Sequence, residues 1–185
     1  MSNAPIVIFG FDRPLHLQNM INSLSTNVES YESDAHIFID GPTEKVNMDN
    51  YNKVLEIVNS ELPFKNSFVT IREKNLQCKN NIVSGITEVI QKEGKAIIME
   101  DDLVVSSQFL NFMNTALKKY SDNKKIWHIN GYSFPQFIGS EKKTSISKLA
   151  QPWGWGTWAD NWNIFINEDD QYYNCLLYTS PSPRD

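Results

Sequence analysis

The chain has 185 residues, with 22 acidic against 17 basic side chains and a net charge of −5. That length buries one sizeable core, which ten Phe, seven Tyr and five Trp can fill. An acidic chain with scattered Lys and Arg excludes a nucleic-acid groove, and no apolar run approaches the roughly 20 residues that span a bilayer.

The chain opens directly on a strand pattern, Pro5–Phe11 (PIVIFGF), with no basic n-region and no cleavage site, so a cytosolic location is expected. Pro14 suits the first turn of a helix, and Leu17, Met20, Ile21 and Leu24 carry the helical repeat through Ser25. Ala35–Ile39 (AHIFI) reads as a second strand closed by Asp40-Gly41-Pro42. Tyr51, Val54, Leu55 and Val58 mark a second helix, and Ser67–Ile71 (SFVTI) a third strand. Ile82, Ile86, Val89 and Ile90 mark a third helix, which Gly94 ends. Lys95–Leu103 (KAIIMEDDL) then reads as a short strand buried on both faces that runs into three carboxylates. Beyond it, Ser106 or Ser107 can cap a helix with Phe109, Met113, Ala116, Leu117 and Tyr120 inward. Lys125–Ile129 (KIWHI) reads as a fifth strand and Gly139–Lys148 as a polar loop. Gln151–Trp162 (QPWGWGTWADNW) holds four of the five tryptophans. Glycines alternating with indoles there suit a loop where backbone approaches a ligand and rings stack on a sugar. The alternation of strands and helices with short connections predicts an α/β fold: a mostly parallel, doubly wound, Rossmann-like sheet with helices on both faces.

In such a sheet ligands bind at the C-terminal edge of the strands. Asp12-Arg13, Asp40 and Glu100–Asp102 end three different strands and therefore open on that one edge. Adjacent carboxylates repel, and a hard divalent cation that also holds phosphate oxygens would cancel the repulsion. Arg13 adds forked donors for a diphosphate, and Asp40 can accept from a nucleobase N–H. Each piece also has a plainer reading, as a solvated acidic turn, a helix cap or a tight turn. Neither GxGxxG nor GxxxxGK[ST] occurs, which counts against a dehydrogenase or a P-loop kinase. Cys78 and Cys175 form no metal-ligand spacing and no disulfide framework, and His16, His36 and His128 do not cluster.

The order VIFGFDRP, FIDGP, EDDL, WGWGTW over residues 1–174 resembles the GT-A glycosyltransferases. Within them it is most similar to bacterial relatives of N-acetylglucosaminyltransferase I and to family 2 sugar transferases. The resemblance implies a UDP-sugar donor and an Mn²⁺ or Mg²⁺ ion held by Asp102. It implies that Asp101 contacts the ribose, Glu100 lies near the donor sugar, Arg13 approaches the diphosphate and Asp40 the uracil. Phe9 and Phe11 of the first motif, with Trp155 and Gly156 of the tryptophan segment, complete the donor-binding set, and the loop Trp153–Trp158 as a whole is implied to shape the donor-sugar and acceptor pocket. The implied reaction is a single inverting displacement onto an acceptor hydroxyl of a glycan or lipid-linked sugar, in cell-surface glycan synthesis. No nucleic acid is involved and no transmembrane segment is needed, which leaves room for peripheral contact with a membrane.

In that family the catalytic base follows the tryptophan segment, where Asp160, Glu168, Asp169 and Asp170 are the candidates. Asp160 is also placed to start a helix. Residues 175–185 (CLLYTSPSPRD) break the preceding pattern and resemble a translated sequencing adapter, so the natural chain is expected to continue differently after Asn174 and to carry the true base there. Two other readings fit the same carboxylates. A sugar nucleotidyltransferase would bring a Gly- and Lys/Arg-rich loop after the first strand, which FGFDRP lacks. A module that binds nucleotide-sugar without turnover would look the same in sequence.

Overall fold

A computed structural model of the chain describes residues 2–132 and 144–167. Six strands form one sheet in the order β3-β2-β1-β4-β6-β5. They are β1 (Ile6–Gly10), β2 (Asp34–Ile39), β3 (Asn66–Ile71), β4 (Lys95–Glu100), β5 (Ile129–Asn130) and β6 (Trp155–Trp158). The first four pair in parallel, whereas β6 runs antiparallel to both β4 and β5. The helices are α1 (Pro14–Ser25), α2 (Met48–Val58), α3 (Gln77–Glu93) and α4 (Phe109–Lys119), and residues 159–167 are also helical.

Side-chain alternation along the strands makes two cores. Ile6, Ile8, Ile37, Ile39, Ile97 and Met99 face α1, α2 and α4. Val7, Phe9, Phe38, Ala96 and Ile98 face α3 and Trp162. β1 and β4 are buried apart from the partly exposed Lys95 and Glu100 at the ends of β4, because both faces are covered, which is why they read as unbroken apolar runs. Helix ends follow local chemistry. Pro14 takes the first helical position of α1, and Asn47 caps α2 by accepting from Asn50 N at 3.1 Å. Gly94 (φ +75°) closes α3 with its N–H on Ile90 O.

Two expectations are corrected. The expected strand Lys125–Ile129 survives only as Ile129–Asn130. Ahead of it the chain turns, with Ile126 N donating to Asn123 O, and the Trp127 carbonyl is taken by the Thr157 hydroxyl and the Asn161 amide rather than by a strand ladder. The expected loop at the tryptophans contains a strand in the middle of the sheet. Gly156 is there for packing: a Cβ would come within 3.0 Å of Ala96 O and 3.2 Å of Leu117 and Met113. The expected loop over Gly139–Lys148 is described only for residues 144–148, which are irregular.

Candidate functional site

Strand order places the site. α1 carries the chain from β1 outward to β2, and α3 brings it back past β2 and β1 to β4. The direction of winding therefore reverses between β1 and β4, and the crevice outside their C-terminal ends is where open α/β sheets take ligands. Arg13 lies just beyond β1 and Glu100–Asp102 at the end of β4, on the two sides of that crevice.

The side chains meet there. The Arg13 guanidinium engages both carboxylate oxygens of Asp101 through Nε and Nη2, and its Nη1 donates to Asp102 Oδ2 at 3.2 Å. Asp101 is buried, its side chain 3 % exposed, whereas Asp102 and Arg13 are near 45 % exposed. Burial pushes the Asp101 carboxyl above the ordinary range against the pull of Arg13. Glu100, the last residue of β4, is raised as well, by burial first and then by the charges of Asp102 and Asp101.

Asp40 ends β2 on the same edge and is buried. Its Oδ1 accepts from Gly41 N at 2.9 Å and Leu76 N at 2.8 Å, while its carbonyl accepts from the Tyr51 hydroxyl. Asn75 Nδ2 donates to Gly41 O, so Asp40-Gly41 docks the connection between β3 and α3. Gly41 is required by that approach, since a Cβ would fall 2.3 Å from the Lys74 carbonyl carbon.

The expected aromatic lining divides. Phe9 is core: its ring stacks on Phe38 at 5.6 Å, and Gly85 of α3 leaves the space for it. Phe11 sits edge-on to Tyr51, beside Asp40. Trp155 lies over Trp162 and edge-on to His128, opposite Ile98 in the sheet. Because β6 is antiparallel, the residues ahead of it, Trp153 and Gly154, reach the edge of the acidic cluster instead. There Trp153 meets Tyr132 edge-on at 5.0 Å. Beside them a cavity of about 340 Å³ begins at Leu103, next to Asp102, and is walled by Val105, Phe109, Phe112, Tyr132 and Trp153.

Asp160 does not join the site. Trp158 pairs with Lys95, the first residue of β4, and Ala159 N donates to Gly94 O. The length of β4, roughly 17 Å at 3.3 Å per residue, separates this edge from Glu100. Asp160 instead pairs with Lys124 at 3.0 Å on the surface. Glu168, Asp169, Asp170 and the segment 175–185 lie outside the described residues. Two groups near the crevice had been given no site role by the sequence. Cys78, in the first turn of α3, is exposed, with its thiol raised by burial and then by the charges of Glu100 and Asp40. Arg72, just past β3, lies over the Phe38 ring and donates to Asn81. A basic residue immediately after the third strand was the available signal for Arg72.

Hard oxygen donors at this edge fit a divalent ion of the Mg²⁺ or Mn²⁺ kind. Such ions commonly take one or two carboxylates and complete their shell with substrate phosphates. Half-exposed Asp102 is placed for that mode, and the described residues contain no group of three or more side chains arranged as an all-protein cage.

Among solved structures the chain is similar to S. aureus TarS, with a TM-score of 0.56 at 11 % identity over 91 % of this chain and 30 % of that one. TarS 1-349 in complex with UDP aligns at 0.50 and 13 %, over 91 % of this chain and 49 % of that one. The mannosyltransferase PcManGT from Pyrobaculum calidifontis, in complex with GDP-Man and Mn²⁺, aligns at 0.50 and 6 %, over 73 % and 36 %. The chain thus spans about a third to a half of the length of these proteins and shares their mixed α/β fold. No family model and no curated protein matches it.

Proposed function

We propose that the chain is the nucleotide-sugar-binding domain, residues 1–174, of a metal-dependent glycosyltransferase. It takes a UDP-sugar and moves the sugar, with inversion, to the hydroxyl of a glycan or lipid-linked acceptor in cell-surface glycan synthesis. One observation carries the reading: Arg13, Asp101 and Asp102, separated by 88 and 89 positions in sequence, converge at the crevice between β1 and β4. The likeness to structures holding UDP or GDP-Man with Mn²⁺ supports it.

In this reading Arg13 supplies donors to the diphosphate and Asp102 holds Mn²⁺ or Mg²⁺. When bound, the ion offsets the negative charge that develops on the departing diphosphate. Asp101, its side chain 3 % exposed and both oxygens held by Arg13, orients that guanidinium rather than meeting the ribose as expected, and Glu100 lies near the donor sugar. Asp40, oriented by its bonds from Gly41 and Leu76, accepts from uracil. Phe11 and Trp153 flank the donor on either side of the carboxylates.

Calorimetry of UDP with Mn²⁺ tests the reading. Asp102→Asn is expected to abolish the metal-dependent part of UDP binding with the far-UV circular dichroism unchanged; full affinity in the variant would end the metal assignment. The position of Asp160 on the opposite edge favours a second reading, a domain that binds the donor without turnover. Product formed from radiolabelled UDP-sugar separates the two.

A further inference from the structure

We infer that Arg13 is a built-in counter-ion with two unequal arms, one fixed on Asp101 and one that passes from Asp102 to the diphosphate as the nucleotide arrives, which frees Asp102 for a divalent cation. The inference rests on the donor reading above and adds to it the order in which charges are exchanged.

The geometry separates the arms. Toward Asp101 the guanidinium is bidentate and the carboxylate is buried, an arrangement in which both partners lose most if parted. Toward Asp102 there is a single donor, Nη1, at 3.2 Å, and both side chains are near 45 % exposed. Solvent-exposed single contacts of this kind contribute little and exchange readily. Asp102 is also the carboxylate open enough to take a metal.

Two cations therefore compete for one carboxylate. While Nη1 holds Asp102, a divalent ion meets a partly neutralised ligand and a positive neighbour. Once a metal-bound diphosphate arrives, its oxygens replace Asp102 as the acceptor for Nη1, and Asp102 is released to the ion. Arg13 stays anchored on Asp101 throughout, so the exchange is a transfer of one hydrogen bond and needs no movement of β1 or β4. Metal and nucleotide then favour one another, because each removes an obstacle to the other.

The test is Mn²⁺ binding followed by electron paramagnetic resonance, with and without UDP, in the wild type, Arg13→Gln, Arg13→Lys and Asp102→Asn. Without UDP, Arg13→Gln is expected to bind Mn²⁺ about tenfold more tightly than the wild type, a change worth about 1.4 kcal/mol. The factor by which UDP tightens Mn²⁺ is expected to fall in the same variant. Arg13→Lys keeps a charge beside the three carboxylates and is expected to lie between, which preserves the test if Arg13→Gln folds poorly. Equal Mn²⁺ affinity in all Arg13 forms, with binding lost in Asp102→Asn, would overturn the exchange and leave the donor reading standing. Mn²⁺ binding indifferent to Asp102 even with UDP present would overturn both.

Discussion

Asp101 and Asp102 are neighbours in the chain, yet one is buried and the other half-exposed. The strand ends between them and Glu100, and the turn that follows sends one carboxylate down toward Arg13 and the other outward. Glu100, still in the strand, points to the α3 face with Phe9 opposite it. Its carboxyl is raised above the ordinary range by burial and then by its two acidic neighbours. An acid raised in the folded state holds its proton more tightly there than in the unfolded chain. Its charging therefore costs stability as pH climbs from the ordinary carboxylate range through the raised value. Glu100→Gln is expected to raise the melting temperature at pH 7 and to flatten the decline of stability above pH 5; thermal melts across pH 4–8 read both. A melting temperature that falls at pH 7 would mean that the Glu100 charge is satisfied in the fold.

At the scale of elements, α4 shows how a helix start can be misread from sequence. Ser106 and Ser107 look like caps, but α4 begins at Phe109 with no cap from its own side chains. Asn27, more than 80 positions away, supplies it. It is fully buried, its Oδ1 accepts from Leu110 N at 3.0 Å, and its Nδ2 donates to the carbonyls of Ser106 and Ser23. One amide thus ties the end of α1 to the start of α4 and steadies the segment that leads out of the acidic cluster. Asn27→Ala leaves the buried Leu110 N–H without its acceptor, while the Ser23 and Ser106 carbonyls keep Thr26 and Phe109 as donors, and is expected to destabilise by about 1–3 kcal/mol. Urea unfolding measures it, and a loss under 0.5 kcal/mol would show that water replaces the amide. β6 makes the same point for strands. Trp-Gly-Trp-Gly lacks the apolar alternation of a strand; pairing with β4 and β5 makes Gly156 a strand residue, and the close approach of Ala96 O and of α4 requires a glycine there.

For the whole molecule, the decisive fact is which edge each group occupies. The acidic cluster and Arg13 stand at the C-terminal ends of the parallel strands. Asp160 stands at the other end, because β6 returns antiparallel and delivers the chain beside Lys95. Asp160→Ala is expected to change UDP affinity by less than twofold. It should change stability by no more than about 0.5 kcal/mol, since its partner is an exposed Lys124. A large loss of UDP affinity, read by calorimetry, would place that edge in the site after all.

The sequence by itself determined the helices α1 to α3, the four parallel strands and the acidic end of β4. Those features depend on local periodicity and on Pro14 and Gly94, whose backbone preferences need no distant partner. It also placed Arg13 and Asp102 on one edge, because strand direction follows from β-α-β connectivity. Tertiary structure alone decided the rest. Whether Trp155–Trp158 is loop or strand, whether Phe9 faces ligand or α3, and which edge receives Asp160 turn on contacts between segments far apart in the chain. A two-residue strand and a glycine beneath a helix leave too little local signal to be read without those contacts.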